Sequence, residues 1–72
     1  MSVDAPVHLS VNGEPWQGPG FTTVSDIVAS WCASPNGVAV ARNGEVVSKS
    51  RWATTEVSNG DRIEIVAAAA GG

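Results

Sequence analysis

The sequence is poor in the residues that build disulfides, metal centres and nucleic-acid interfaces. Its 72 residues include one cysteine, one histidine and four basic residues, and the net charge is −3. A lone cysteine, Cys32, excludes an internal disulfide and fits a reducing compartment. One cysteine and one histidine, His8, cannot supply the four ligands of a closed zinc site. The basic residues are scattered, so they do not provide the concentrated positive face that nucleic-acid binding requires.

Long hydrophobic runs and phosphate-binding loops are missing as well. The longest apolar stretch, residues 65–70, is far shorter than the roughly 20 residues that a membrane span requires. Residues 1–6 lack the apolar centre of a signal peptide. No glycine-rich loop precedes a predicted helix, and the carboxylates are scattered. With 43% hydrophobic and 15% charged residues, the composition is that of a globular domain. We expect a soluble, cytoplasmic protein whose partners are proteins rather than membranes or nucleic acids.

A β-hairpin is predicted at the start of the chain. Residues 7–11 alternate apolar and polar side chains with period two, which is typical of a half-buried strand. Asn12 and Gly13 follow directly, and this dipeptide tolerates the positive φ angles of a tight turn. Residues 14–17 are therefore predicted to fold back as a second strand.

One amphipathic helix is predicted after this hairpin. The hydroxyl of Thr23 can cap it by accepting a hydrogen bond from the amide of Asp26, whose carboxylate suits the positive end of the helix. Apolar side chains then recur every three or four residues, as expected of a helix that lies on a sheet. The apolar stripe consists of Val24, Ile27, Val28, Trp31 and Cys32. Burial in such a stripe predicts an inert thiol.

The second half of the chain contains three more predicted strands. They span residues 38–42, 45–47 and 62–66. Asn-Gly pairs precede the last two of them, and Ile63 and Ile65 are predicted to face inward. Residues 48–57 show no clear period, and Trp52 is predicted to anchor this connection in the core. One helix on one face of a four- to five-stranded mixed sheet is an α+β arrangement, which we expect to form a single domain over residues 1–72.

The last six residues, 67–72, are predicted to form a flexible tail. Without Cβ atoms, Gly71 and Gly72 can be threaded through a narrow channel in extended form. The whole tail reaches about 20 Å at ~3.3 Å per residue. Terminal glycines alone are a weak signal, because many are simply frayed ends. This tail, however, follows directly on a well-patterned strand, which defines where it starts.

Four segments carry a resemblance to a known family: residues 38–47, 50–53, 59–66 and 71–72. They are similar to the β-grasp sulfur carriers of the ubiquitin superfold, in particular the thiamine-biosynthesis sulfur carrier (ThiS) family, and the similarity extends over nearly the whole chain from residue 7. The pair Arg51-Trp52 favours this family over the small subunit of molybdopterin synthase, which shares the fold and the Gly-Gly end. Ser48 stands where the family usually has proline, which affects only the local turn.

The resemblance implies a carrier rather than an enzyme. An adenylating partner would use ATP and magnesium to convert the Gly72 carboxylate to an acyl-adenylate, and sulfur from a sulfur donor protein would displace AMP. The resulting thiocarboxylate would pass its sulfur to thiazole synthase. The chain itself would bind no cofactor and no metal, Gly72 would be the modified residue, and Gly71 would serve recognition of the tail.

A partner interface is predicted on the sheet face away from the helix. Strand alternation turns Ala39, Ala41 and Val66 to that face, where small apolar side chains can form a docking patch. Ordinary surface residues would show the same pattern. Three other functions remain open: a sulfur carrier for the molybdopterin pathway, a ubiquitin-like modifier joined to lysines, and an interaction domain with an inert tail.

Overall fold

A five-stranded mixed sheet and one α-helix make up the fold. The computed structural model describes residues 5–31 and 37–67. Along the chain the elements are β1 (Val7–Val11), β2 (Glu14–Gly18), α1 (Val24–Trp31), β3 (Val38–Arg42), β4 (Glu45–Val47), a 3-10 helix (Lys49–Thr54) and β5 (Arg62–Ala67). The predicted α+β architecture is confirmed. In the part of the chain that the structure describes, no helix is long and apolar enough to cross a membrane.

Two tight hairpins build the two sides of the sheet. β1 and β2 form an antiparallel pair, as do β3 and β4. Asn12 and Asn43 both adopt φ of 52° at the turns, and Gly13 and Gly44 follow them at 83° and 88°. These left-handed angles suit asparagine and glycine, so the predicted Asn-Gly turns are confirmed at both positions.

The last strand lies in the middle of the sheet, whose order is β2-β1-β5-β3-β4. β5 runs parallel to β1 and antiparallel to β3. It continues through Ala67, which pairs with Val38, the first residue of β3. The prediction that the tail begins at Ala67 is therefore wrong by one residue, because β3 offers a backbone partner at that position. Residues 68–72 lie outside the described residues.

The core fills the space between the sheet and the helix. Its buried side chains are Val7, Leu9, Val11, Val24, Ile27, Val28, Val40, Trp52, Val57, Ile63 and Ile65. The inward orientation of Ile63 and Ile65 is confirmed. Trp31 belongs to the predicted apolar stripe but is 38% exposed. Periodicity gives the side of a helix on which a residue lies, but not how far the neighbouring layer covers it. Cys32 lies outside the described residues.

The predicted helix cap is present and is reciprocal. The Thr23 hydroxyl accepts a hydrogen bond from the Asp26 amide at 3.2 Å, and the Asp26 carboxylate accepts one from the Thr23 amide at 3.0 Å. Two backbone donors of the first helical turn are thereby satisfied. The chain segment after β4 passes this end of the helix, since the Val24 amide donates to the carbonyl of Thr55 at 2.9 Å.

Trp52 anchors the connection between β4 and β5, as predicted. It is buried, with 5% of its surface exposed, and its indole Nε1 donates to the carbonyl of Val47 at 2.9 Å. The surrounding residues form a 3-10 helix, Lys49–Thr54, which the sequence pattern did not predict. The side chains of a 3-10 helix repeat about every three residues. The sequence therefore shows neither the period of about 3.6 residues of an α-helix nor the period of two of a strand.

Candidate functional site

β5 is the element that leads to the C-terminal residues, and side chains from both hairpin turns hold it. At its start, the Arg62 amide donates to Oδ1 of Asn43 at 2.8 Å. Further along, the Ile65 amide donates to Oδ1 of Asn12 at 2.8 Å, and Nδ2 of Asn12 donates to the Ile65 carbonyl at 3.1 Å. The last strand is therefore held by side chains as well as by its two neighbouring strands.

A buried carboxylate orders the turn in front of β5. Asp61 is 7% exposed, and its carboxylate accepts hydrogen bonds from Arg42 Nε at 2.8 Å, Asn43 Nδ2 at 3.0 Å and the Ser58 amide at 2.8 Å. Burial alone would raise the pKa of Asp61, but the hydrogen bonds from Asn43, Ser58 and Arg42 and the positive charge of Arg42 outweigh it, so that the pKa lies below its ordinary value. The position at which β5 begins thus depends on an ionised carboxylate.

Small apolar side chains meet on the sheet face away from the helix. Ala39 pairs with Val66 across β3 and β5, and Ala41 pairs with Val46 across β3 and β4. We call these four residues the outer-face patch. Val46 is 79% exposed and Val66 is 57% exposed. Together with Glu64 they line a shallow depression of about 140 Å³. Val40 and Ile65, their neighbours in the strands, point into the core.

The structure brings the three predicted interface residues together on one face. Ala39, Ala41 and Val66 are neighbours there, and their function as an interface stays a prediction. Val46 was missed, although a signal for it existed: a two-residue Asn-Gly turn sets the register of its hairpin, which places Val46 opposite Ala41. The predicted site residues Gly71 and Gly72 lie outside the described residues.

The patch lies beside the route to the C-terminus. Val66 is one of its members and is followed by Ala67, the last residue of β5. A protein that covers the patch therefore also covers the start of the segment that leads to Gly72.

Among residues 5–31 and 37–67, no three His, Cys, Asp or Glu side chains are grouped so as to hold a metal ion. His8 lies exposed on β1.

The mixed sheet wrapped on one helix, with the central strand leading to the terminus, defines a β-grasp domain of the ubiquitin-like class. The family model described as the ThiS family matches residues 9–72. The chain belongs to the ThiS family, and the predicted family and fold are confirmed.

Two relatives agree with this assignment. The crystal structure of the thiamine biosynthesis protein ThiS from Geobacter metallireducens superimposes with a TM-score of 0.72, is 30% identical, and the alignment covers 83% of this chain and 91% of that chain. A thiazole synthase from Paramagnetospirillum magneticum is 39% identical over 66 residues, which are 92% of this chain and 20% of that protein. The chain thus spans about one fifth of the length of this curated relative.

Proposed function

We propose that this chain is the sulfur carrier of thiamine (thiazole) biosynthesis, with Gly72 as the residue that carries the sulfur. The observation that supports this most is the family match over residues 9–72, which includes both terminal glycines. The solved relative is named a thiamine biosynthesis protein, and the curated relative is named a thiazole synthase. Both names belong to the pathway that would use such a carrier.

The proposed reaction activates a carboxylate, which is a poor electrophile because its negative charge repels nucleophiles. A Gly72 carboxylate oxygen attacks the α-phosphorus of ATP in the adenylating partner, with magnesium bound to the phosphates, and pyrophosphate leaves. The terminal sulfur of a donor persulfide then attacks the acyl carbon, and AMP leaves. A thiol attacks the remaining sulfur–sulfur bond, which gives a disulfide on the partner side and a thiocarboxylate on Gly72. The chain is a co-substrate in these steps, and the catalytic groups belong to its partners.

Docking would use the outer-face patch. Its side chains are apolar and small, Val46 and Val66 are exposed, and Ala39 and Ala41 are half-buried. Val66 is followed closely by the terminal segment. Residues 68–72 can extend about 17 Å at ~3.3 Å per residue, which limits how far a partner's active centre can lie from the docked patch. The absence of Cβ atoms at Gly71 and Gly72 allows passage through a narrow channel. We propose an adenylating enzyme and thiazole synthase as the proteins that dock here in turn, and a sulfur donor protein as the third partner.

The experiment is intact-mass measurement after incubation with an adenylating enzyme, ATP, magnesium and a persulfide donor. Exchange of one oxygen for sulfur at Gly72 is expected, and addition of thiazole synthase with its substrates should return the original mass. An unchanged mass with a demonstrably active partner would contradict the proposal. Sulfur transfer to a molybdopterin synthase large subunit but not to thiazole synthase would favour the molybdopterin pathway, and covalent adducts on lysines would favour a modifier.

A matched pair of variants tests the docking surface. Val66→Lys places a charge in the outer-face patch and is expected to raise the KM for loading by about tenfold, equivalent to about 1.4 kcal/mol of binding. Phe21→Lys is the control, since Phe21 is 65% exposed and lies in the loop before α1, outside the patch. Equal KM values for the two variants would show that the partner docks elsewhere.

A further inference from the structure

Asn12 makes more contacts than its place in a hairpin turn requires. A type I′ turn needs only a residue that tolerates positive φ, and Asn12 satisfies this with φ of 52°. Its side chain, however, reaches across the sheet and bonds both polar backbone atoms of Ile65, which lies 53 residues away in sequence. These two contacts are not needed to close the turn.

The side chain of Asn12 forms hydrogen bonds with β5 at a position that the backbone of β1 does not reach. β1 runs beside β5 in parallel register, with Ser10 opposite Arg62 and Val11 opposite Ile63. The Asn12 amide then donates to the Ile63 carbonyl at 2.8 Å, after which the backbone turns away into β2. At Ile65 the carboxamide supplies the acceptor and the donor that another β1 residue would have supplied. β5 is thereby held on both of its edges as far as Ile65.

Beyond Ile65, the strand pairing of β5 within residues 5–31 and 37–67 is with β3. Val66 and Ala67 pair with Ala39 and Val38 of β3. Among the described residues, the contacts of Asn12 are therefore the furthest along the β1 edge of β5. Loss of these contacts would allow the end of β5 to open on that edge, while the hairpin turn and the core residues below remain in place.

We propose that Asn12 is a positioning residue for sulfur loading: by holding Ile65 it fixes the end of β5, to which the segment that leads to Gly72 is attached. This proposal rests on the proposed function. Reaction in a partner's active centre requires that the terminal carboxylate be placed to within about 1 Å. When both edges of β5 are held, the docked domain can present its terminus to that centre only in a narrow range of positions. When the end of β5 is open on one edge, this range is wider.

Asn43 provides a matched comparison. It has the same φ of 52°, is followed by a glycine in the same kind of turn, and also bonds β5 through its side chain. Its side-chain contacts are with Asp61 and Arg62, at the start of the strand, whereas those of Asn12 are with Ile65, near the end. Glycine tolerates positive φ, so replacement of either asparagine by glycine removes the side-chain bonds and keeps the turn.

The test compares Asn12→Gly, Asn12→Asp and Asn43→Gly in the full-length chain. Amide hydrogen exchange by NMR is expected to be roughly fivefold to tenfold faster at Ile65 in Asn12→Gly, in keeping with the usual net contribution of a hydrogen bond. Loading by the adenylating partner, followed by intact mass, should fall in kcat/KM by about the same factor. Asn12→Asp keeps the acceptor for the Ile65 amide and loses the donor, so an intermediate loss is expected; Asn43→Gly should load like the wild type.

Each other outcome is informative. Faster exchange at Ile65 with unchanged loading would overturn the positioning role and leave the contact as a structural one. An equal loss of loading in Asn43→Gly would also overturn it, because general destabilisation would then explain both variants. If Asn12→Gly does not fold, the comparison of Asn12→Asp with Asn43→Gly decides. Failure of the wild type to be loaded would contradict the proposed function itself, whereas the exchange measurement at Ile65 does not depend on that function.

Discussion

Replacement of Asp61 by alanine should destabilise the protein by removing the acceptor of three hydrogen bonds at the start of β5. One carboxylate oxygen accepts from Arg42 Nε and from the Ser58 amide, both at 2.8 Å, and the other accepts from Asn43 Nδ2 at 3.0 Å. The turn formed by residues 58–61 and the second hairpin turn both depend on this carboxylate. Alanine supplies no acceptor to either.

The magnitude follows from how exposed each donor is. The side chain of Arg42 is 32% exposed, so water can replace its contact, and a partly exposed ion pair contributes about 0.2–1 kcal/mol. Ser58 and Asn43 are exposed residues, so water can also replace part of their contacts. Each of these two hydrogen bonds is expected to contribute about 0.5–1.5 kcal/mol. We expect a total loss of about 2–3 kcal/mol in the free energy of unfolding. A domain of this size has only about 4–11 kcal/mol of stability.

Urea unfolding and thermal unfolding followed by circular dichroism measure this loss. The midpoint of thermal unfolding should fall by about 10–20 °C in Asp61→Ala. A double-mutant cycle with Arg42→Ala should give a coupling energy below about 1 kcal/mol, because the amide donors carry most of the effect. An unfolding free energy within about 0.5 kcal/mol of the wild type for Asp61→Ala would refute this reasoning.

The pH dependence of stability provides a second test of the same site. The pKa of Asp61 is lower in the folded protein than its ordinary value of about 3.9 in an unfolded chain. Between the two values the unfolded state binds more protons, so the stabilisation is complete above about pH 4 and is lost as the pH falls through the folded-state pKa. Asp61→Asn should lose less stability on acidification than the wild type. A parallel loss in both would show that other groups cause the acid dependence.

Two further predictions concern the helix and the connection to β5. Trp52→Phe removes the indole bond to the Val47 carbonyl and should cost about 1 kcal/mol in urea unfolding, whereas Trp52→Ala also leaves a cavity and should cost about 3–5 kcal/mol; equal losses would show that burial contributes nothing beyond the hydrogen bond. Thr23→Ala breaks one half of the reciprocal cap with Asp26 and should cost about 1 kcal/mol, while Thr23→Ser should be close to the wild type. A Ser variant as unstable as the Ala variant would contradict the role of the hydroxyl.

Several parts of the fold could be predicted because their signals are local. The positive φ angles of the hairpin turns follow from Asn-Gly, the helix start follows from Thr23 and Asp26, and the inward orientation of Ile63 and Ile65 follows from alternation along a single strand. Each of these depends on residues within about four positions of one another. The family resemblance combined such segments and predicted the β-grasp fold correctly.

Other parts depend on which strands become neighbours, and no local pattern contains that information. Ala67 belongs to β5 only because Val38 lies opposite it. Trp31 is partly exposed although it continues the apolar period of the helix. The outer-face patch needs β3 between β4 and β5 before Val46 and Val66 can share one surface.

The amino-acid sequence by itself determined the turns, the helix cap, the strand faces and the membership of the ThiS family, because backbone preference and side-chain periodicity act over short stretches of chain. Only the tertiary structure decided that Asp61 is buried among Arg42, Asn43 and Ser58, and that Asn12 bonds Ile65 from 53 residues away. Both sets of contacts require β5 to lie between β1 and β3 in the sheet. The hydrogen bonds of Asp61 and Asn12 therefore depend on residues that are distant in sequence and become neighbours only in the folded sheet.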